Sequence, residues 1–114
     1  MSNLPKEIFF GLIRIHVLVH AAHEPIFGLA MMEELAYHGY RIGPGTLYPL
    51  LHGLEGAGLL KSKKVSAEGR QRRVYTITAG GKRALAKARV KVDELHYELH
   101  EEHPRRISPG SESQ

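Results

Sequence analysis

The most densely charged segment of the sequence runs from Lys61 to Arg73. It holds six lysines and arginines against one anion, Glu68, although the formal net charge of the whole chain is only +4. The segment 89–102 has the opposite balance, with two cations and five anions. Self-association gives no reason to concentrate cations in this way, whereas a polyanion does, because basic side chains neutralise phosphates and release their counterions. We therefore predict that the basic segment binds nucleic acid rather than forming a merely solvated face.

Histidines are the second candidate for chemistry, since the chain has eight of them. The spacing i, i+4, i+7 occurs twice, at His16, His20 and His23 and again at His96, His100 and His103. Histidines four residues apart on a helix can share a metal ion, so His16, His20 and His23 are candidates for a divalent-metal site. Two alternatives stay open. In the first, these histidines are ordinary polar residues and the protein binds no cofactor. In the second, their protonation at about pH 6 makes the protein pH-sensitive.

The composition argues against several other classes of protein. The chain of 114 residues has no cysteine, which excludes disulfides and fits a reducing, cytoplasmic location. Arg14, His16 and His20 interrupt the apolar residues near the N-terminus, so neither a membrane span nor a signal peptide is expected. There is no nucleophile elbow, no phosphate-binding glycine loop and no pair of carboxylates, and Ser62 and Ser66 have no triad around them. The sequence therefore predicts a protein that is not an enzyme.

Two helices and a turn are predicted in the first part of the chain. Apolar residues at helical spacing predict a helix over residues 6–22 that is apolar around most of its circumference and therefore buried on several sides. A second helix follows at about 27–38, and Gly39 occupies the position of a left-handed cap. Residues 40–43 then form the turn.

A third helix is predicted to begin at Gly43 and Pro44, which suit the N-cap and the first helical position. One face is made of leucines at i, i+3, i+4 and i+7, namely Leu47, Leu50, Leu51 and Leu54. The other residues of this helix must lie mostly on the opposite side. Among them Pro49 removes one backbone hydrogen bond, which we interpret as a tolerated kink.

A hairpin and a long helix follow. Residues 59–66 and 72–78 predict two strands joined by a polar turn, and Thr78 can cap a last helix over about 79–102. The apolar residues of that helix form the narrow seam of a two-heptad coiled coil, at Leu85, Ala88, Val92, Leu95 and Leu99. Residues 104–114 are rich in serine, proline and glycine and predict a disordered tail.

This order of elements predicts a mainly α fold with a small two-stranded β wing, a winged helix-turn-helix with a C-terminal dimerisation helix. The second helix of a helix-turn-helix enters the major groove, and a basic hairpin beside it contacts phosphates. We divide the chain into a DNA-binding domain at 1–78, a dimerisation helix at 79–103 and the tail at 104–114.

The run GTLYPLLHGLEGAGLL at residues 45–60 resembles the signature of the PadR family of bacterial regulators, G-T-L-Y-P-x-L-x-R-L-E-x-x-G-L-[IL]. Further matches are Gly28, Gly69-Arg70, Arg73-x-Tyr75 and Thr78-x-x-Gly81. The resemblance covers roughly residues 8–100, and the length with a single C-terminal helix resembles the shorter PadR subgroup.

The resemblance implies a homodimeric, ligand-responsive transcriptional regulator, usually a repressor, that binds a double-stranded DNA operator. In that family the third helix reads the major groove, the wing grips the backbone or minor groove, and the last helix forms the dimer with the first. The implied DNA contacts are Thr46, Tyr48, Pro49, His52, Lys64, Arg70, Arg72 and Arg73. The implied dimer interface consists of Phe9, Ile13, Leu85, Ala88, Val92, Leu95 and Leu99. A small-molecule effector is expected near the dimer axis.

Two positions depart from the pattern of the family. Gly53 stands where arginine is usual, which shifts DNA affinity from the third helix to the wing. Gly43 stands where a serine or threonine cap is common, a loss of roughly a few tenths of a kcal/mol. Two other functions remain open at this point: a metal-responsive regulator that uses the histidines, and a winged-helix interaction module whose cations bind an acidic protein.

Overall fold

The computed structural model describes residues 4–101 and shows four helices with a small antiparallel sheet. In chain order the elements are α1 (Lys6–His23), β1 (Ile26–Phe27), α2 (Gly28–Tyr37), α3 (Pro44–Gly56), β2 (Leu60–Ala67), β3 (Arg70–Ile77) and α4 (Ala79–Leu99). The predicted mainly helical, winged helix-turn-helix fold is confirmed. His103 and the predicted tail at 104–114 lie outside the described residues.

The sheet has three strands in the order β1-β3-β2, rather than the two that the sequence predicted. The additional strand, β1, pairs Ile26 and Phe27 with Tyr75 and Val74 of β3. A strand of two residues is too short to show an alternating pattern, so only its tertiary pairing reveals it. Because α2 follows β1 directly, this pairing fixes the start of α2 against the wing.

The wing is the hairpin of β2 and β3, which pair in unbroken register from Leu60 opposite Ile77 to Ala67 opposite Arg70. The turn between them places Glu68 at φ +53° and Gly69 at φ +75°. Two successive positive φ values are typical of a type I′ turn, whose twist matches that of the flanking strands. The wing is therefore a regular ribbon whose strands continue closer to the turn than predicted.

α1 buries one face in the core and leaves another face exposed. Ile13 and Val17 are completely buried among the side chains of the other elements. On the exposed side lie the apolar residues Ile8, Leu12 and Val19. The predicted apolar circumference of this helix thus corresponds to two faces, of which only one is covered within the protomer.

The turn between α2 and α3 follows the predicted chemistry. Gly39 has a φ of +92°, and the N–H of Tyr40 donates to a carbonyl in the last turn of α2 at 2.8 Å. α3 begins after Gly43 with Pro44 in its first turn, and its four predicted core leucines are buried. Pro49 lies inside α3, where the helix forgoes one backbone hydrogen bond.

α4 begins in the core and then leaves it. The N–H of Gly81 donates to Thr78 Oγ1 at 2.9 Å, so the predicted N-cap is present. Leu85 is only 6% exposed, whereas Val92 is 43% exposed and Leu99 is 71% exposed. The second half of α4 therefore presents an uncovered apolar stripe. Among the helices of residues 4–101, none combines the length and the hydrophobicity that a membrane span requires.

Candidate nucleic-acid interface

The outward face of α3 is exposed along its whole length. Thr46, Tyr48, Pro49 and His52 all lie on this face, because the leucines between them turn into the core. Gly53 is also exposed, and a Cβ at this position would have no other atom within 4 Å. The four predicted contacts of the third helix therefore occupy one accessible surface.

Tyr48 is half exposed on this surface but is also held in place by α2. Its side chain is 41% exposed, and its ring lies directly over Gly28, so close that a Cβ at Gly28 would overlap the ring and the hydroxyl. The sequence left open whether Tyr48 contacts DNA or packs within the protein. In the structure the hydroxyl and one edge of the ring pack on α2, and the side chain is still accessible to a ligand from outside.

A shallow concavity separates α3 from β3. It has a volume of about 510 Å³ and is lined by Tyr48, Pro49, His52, Arg73 and Tyr75. Tyr75 forms its floor and is 2% exposed, as expected for the core position that the sequence predicted. Burial raises the pKa of Tyr75, and the cation of Arg73 opposes that rise. The floor is therefore neutral, and the positive charge of Arg73 stands at the rim.

A short hydrogen-bond chain ties the wing to the end of α3. Glu55 accepts hydrogen bonds from the Ser62 hydroxyl at 2.9 Å and from the Ser62 N–H at 3.2 Å. Arg73 Nη1 in turn donates to Ser62 Oγ at 3.0 Å. Because Ser62 is on β2 and Arg73 is on β3, these bonds fix both strands of the wing relative to α3. The orientation of Arg73 is thereby set before any ligand arrives.

The register of the wing separates its cations into two groups. Lys64 lies opposite Arg73, on the face that Tyr75 and α3 share, since side chains alternate along a strand. Arg70 and Arg72 belong to the other face, where the Arg72 guanidinium lies 5.4 Å from the centroid of the Phe27 ring. The sequence treated the four wing cations as one set. In the structure only two of them, Lys64 and Arg73, lie on the face of the wing that packs against α3.

Three further cations surround the start of α3, and the sequence prediction missed them. Lys6 and Arg41 line a cavity of about 360 Å³ together with Thr46. Arg14 lines a neighbouring cavity of about 380 Å³ with Thr46 and Pro49, and its Nη1 donates to the carbonyl one turn earlier at 3.2 Å. These residues are far apart in sequence and form no charge run, so only the position of Arg41 in the predicted turn gave a signal.

The predicted dimer residues divide into core and surface positions. Ile13 is 0% exposed and Leu85 is 6% exposed, so both are core residues of the protomer and offer little area to a partner. Phe9 is partly buried against Tyr40, with ring centroids 5.4 Å apart. The exposed members of the predicted set are Val92, Leu95 and Leu99, with Ala88 half-buried beside them. Periodicity alone could not distinguish the core residues from the surface residues, because the same apolar stripe of α4 begins in the core and continues into solvent.

Only two of the three candidate metal-binding histidines come together. His16 and His20 lie beside His38 of the α2 C-terminus, and the candidate ligand atoms of these three side chains are within 4.8 Å of one another. His23 is exposed at the end of α1 and does not belong to this group. The residue that replaces it, His38, follows α2 and is not related to the α1 histidines by any helical spacing.

Comparisons with known proteins agree with this arrangement. Residues 17–87 match the Transcriptional regulator PadR-like family. The protein named Transcriptional regulator Rv3488, from Mycobacterium tuberculosis, is 47% identical over 94 residues, which cover 82% of this chain and 88% of that protein.

Solved structures give the same result. A PadR family transcriptional regulator from Eggerthella lenta is 35% identical, covers 82% of this chain and 87% of its own, and superposes with a TM-score of 0.66. A protein from Streptococcus mutans UA159 superposes with a TM-score of 0.77 over 94% of this chain and 100% of its own. At 23% identity this second likeness concerns the fold alone.

Proposed function

The chain belongs to the PadR-like family of transcriptional regulators, and from this premise we propose that it is a homodimeric, ligand-responsive repressor. Regulators of this family bind DNA and are not enzymes. The finer proposal concerns which surface binds the operator, how two copies associate, and what releases the DNA. We place this activity in the cytoplasm, where the operator would be accessible.

One observation carries the proposal for DNA binding. Three neighbouring concavities lie along the outward face of α3: Pro49 lines the first and the third, and Thr46 lines the second and the third. Cations line each of them, with Arg73 in the first, Lys6 and Arg41 in the second and Arg14 in the third. An exposed helix with basic side chains along it fits the width and charge of a major groove.

The residues of this surface would have different roles in DNA recognition. Thr46, Pro49 and His52 are short side chains on the exposed helix and can approach base edges. Arg73 lines the concavity beside them and Lys64 is its register partner on the wing, and both would contact the flanking phosphates. Arg70, near the turn of the wing, would reach the backbone or the adjacent minor groove.

Dimerisation would use the exposed apolar stripe of α4 with the exposed face of α1. Val92, Leu95 and Leu99 are uncovered in the protomer, and so are Ile8 and Leu12. Burying such side chains against a second copy removes apolar surface from water, which is the main driving force of protein association. A two-fold dimer would place two α3 helices in successive major grooves, about 34 Å apart on a palindromic operator.

The effector site is proposed near the dimer axis. Phe9 and Phe10 pack edge to face with centroids 5.1 Å apart, and both line the cavity at the start of α3. A ligand at this place would contact α1 of the dimer and the turn before α3 together. It could therefore change the spacing of the two recognition helices and weaken operator binding.

Fluorescence anisotropy with the duplex upstream of the gene for this protein tests the DNA-binding surface. We expect the double substitution Lys64→Ala with Arg73→Ala to weaken binding and to lower the slope of log affinity against log salt by about 2, because two phosphate contacts are lost. The matched control is Lys91→Ala with Arg89→Ala, which removes two cations from exposed positions on α4. Equal affinity and equal slopes for the double variant and the wild type would refute the proposed surface.

Sedimentation of the protein tests the dimer independently of DNA. Leu95 is 53% exposed, so Leu95→Glu should leave the fold intact while placing two charges in the proposed interface. We expect the variant to sediment as a monomer and to bind the palindromic duplex more weakly than the wild type. A wild-type protein that sediments as a monomer at micromolar concentration would exclude the dimer.

A further inference from the structure

Two pairs of polar side chains face each other where α1 meets α2. His16 and His20 are one turn apart on α1, and Glu34 and His38 are one turn apart at the end of α2. Residues four apart on a helix lie on the same face, so each pair projects as a unit towards the other helix. The four side chains together form a compact cluster, which we call the α1–α2 histidine cluster.

The distances within the cluster are those of side chains that converge on one point. The candidate ligand atoms of His16, His20 and His38 lie within 4.8 Å of one another. Glu34 Oε2 is 3.0 Å from His38 Nε2 and 3.6 Å from His20 Nε2. The rings of His16 and His38 stack at a centroid distance of 5.1 Å. The Glu34 carboxylate thus lies beside the imidazoles of His20 and His38, and the third imidazole, of His16, stacks on His38.

Hydrogen bonds among these four side chains do not satisfy every donor and acceptor of the cluster. A neutral imidazole has one N–H donor and one nitrogen acceptor, and Glu34 offers only oxygens that accept. If the imidazoles become protonated to donate, their positive charges lie close together and repel. A divalent cation instead accepts the ring lone pairs and is neutralised in part by the carboxylate. Three imidazoles and one carboxylate are a ligand set that suits zinc and similar transition metals.

We propose that His16, His20, His38 and Glu34 bind one divalent transition-metal ion of the zinc class per chain. The rings are already oriented for this role, because His16 packs edge-on against Tyr40, with centroids 5.0 Å apart, and also against His38. The ion can reach the site from solvent, since His20 and Glu34 line an open cavity of about 320 Å³.

Such an ion would connect α1, which belongs to the proposed dimer interface, to α2 and α3, the two helices of the helix-turn-helix. His38 is the C-cap residue of α2, directly before the turn that leads into α3. An ion held by His38 and the two histidines of α1 would cross-link the two helices at that turn. A regulatory consequence for operator binding would rest on the function proposed above, whereas the metal site itself does not depend on it.

Calorimetric titration of the DNA-free protein with zinc tests the site. We expect one tight zinc ion per chain, and we expect His20→Ala and His38→Ala each to lower the affinity at least about a hundredfold, because each removes a ligand. The matched control is His23→Ala, which removes a histidine of the same helix outside the cluster. The double variant His96→Ala with His100→Ala tests the other close pair, whose rings are 4.4 Å apart. Circular dichroism with a chelator present checks that every variant is folded.

The outcomes separate the site from its alternatives. Retained tight binding in His23→Ala and in the α4 double variant, with loss in His20→Ala and His38→Ala, supports the proposal. Visible absorption of a tetrahedral cobalt(II) complex in the wild type, absent from Glu34→Gln, supports it without any change of histidine. No zinc binding by the wild type, or tight binding that survives both His20→Ala and His38→Ala, overturns it. Loss of binding only in the α4 double variant also overturns it.

Discussion

The two ends of α2 hold their neighbours in different ways. At the N-terminal end the contact requires a residue without a side chain, because only at Gly28 can the ring of Tyr48 lie directly on the helix backbone. At the C-terminal end the contact is made by polar groups, with Glu34 and His38 facing His16 and His20 of α1. One end therefore fixes α3, and the other end holds α1.

The difference separates a contact that is always present from one that depends on conditions. Packing of a ring on a backbone does not change with pH or with dissolved ions, so the packing of Tyr48 on α2 stays the same under these conditions. Imidazoles titrate close to neutral pH and bind metals, so the contact with α1 can change. α2 thus joins a rigid recognition unit to a helix whose attachment depends on solution chemistry.

Substitution of Gly28 tests the rigid end and should have the largest effect. In Gly28→Ala the added methyl would overlap Tyr48, and we expect the free energy of unfolding to fall by about 1–3 kcal/mol, as is usual for overpacking. Urea denaturation followed by circular dichroism measures this. The same substitution should be tolerated better in a Tyr48→Ala background, since the ring that it meets is gone.

Gly53 provides the matched control for Gly28, because a Cβ at Gly53 would meet no other atom. Gly53→Ala should raise the free energy of unfolding by about 0.4–1 kcal/mol, since alanine restricts the unfolded chain and favours the helix. If Gly28→Ala proved as stable as Gly53→Ala, Tyr48 would not be seated on α2 and the rigid end of the comparison would be wrong.

Gly53→Arg should strengthen operator binding by an intermediate amount. The position is open and lies on the outward face of α3, so an arginine there can reach a phosphate or a base edge. We expect the slope of log affinity against log salt to grow by about 1. Anisotropy at several salt concentrations measures it, with Gly53→Ala as the control for helix propensity. An unchanged slope would mean that this part of α3 does not approach the DNA.

Local chemistry in the sequence was sufficient to predict most of the fold. The turn at Gly39, the start of α3 at Gly43 and Pro44, and the Thr78 cap each depend on a few neighbouring residues, and each is present in the structure. β1 was missed because its two residues are ordered by pairing with β3, which no local pattern reports.

The candidate site was predicted less completely, because its residues meet only in three dimensions. Arg14 and Arg41 approach α3 from different elements, and His38 joins the α1 histidines only through the packing of α2. Ile13 was assigned to the dimer although it is buried in the protomer. An apolar stripe in a sequence indicates that a face will be covered, and it does not indicate whether the same chain or a second copy covers it.

At the C-terminal end of α2 we expect a smaller effect, namely that the stability of the protein depends on pH in the absence of metal. Burial first, and then the charges of His38 and His20, lower the pKa of His16 below its ordinary value of 6.5. The unfolded chain therefore binds a proton more readily than the folded protein. It follows that the contribution of His16 to stability is complete above about pH 6.5 and decreases as the pH falls towards the lower folded pKa.

His16→Gln removes this titration and should make the free energy of unfolding fall less steeply between about pH 7.5 and pH 5.5. Urea denaturation at the two pH values, with a chelator present, measures the difference. His23→Gln is the control, because it removes a histidine from an exposed position on the same helix and should keep the wild-type slope. Equal slopes for His16→Gln and the wild type would show that α1 and α2 are held together independently of this histidine. The two ends of α2 would then be equally rigid, and the distinction between them would fail.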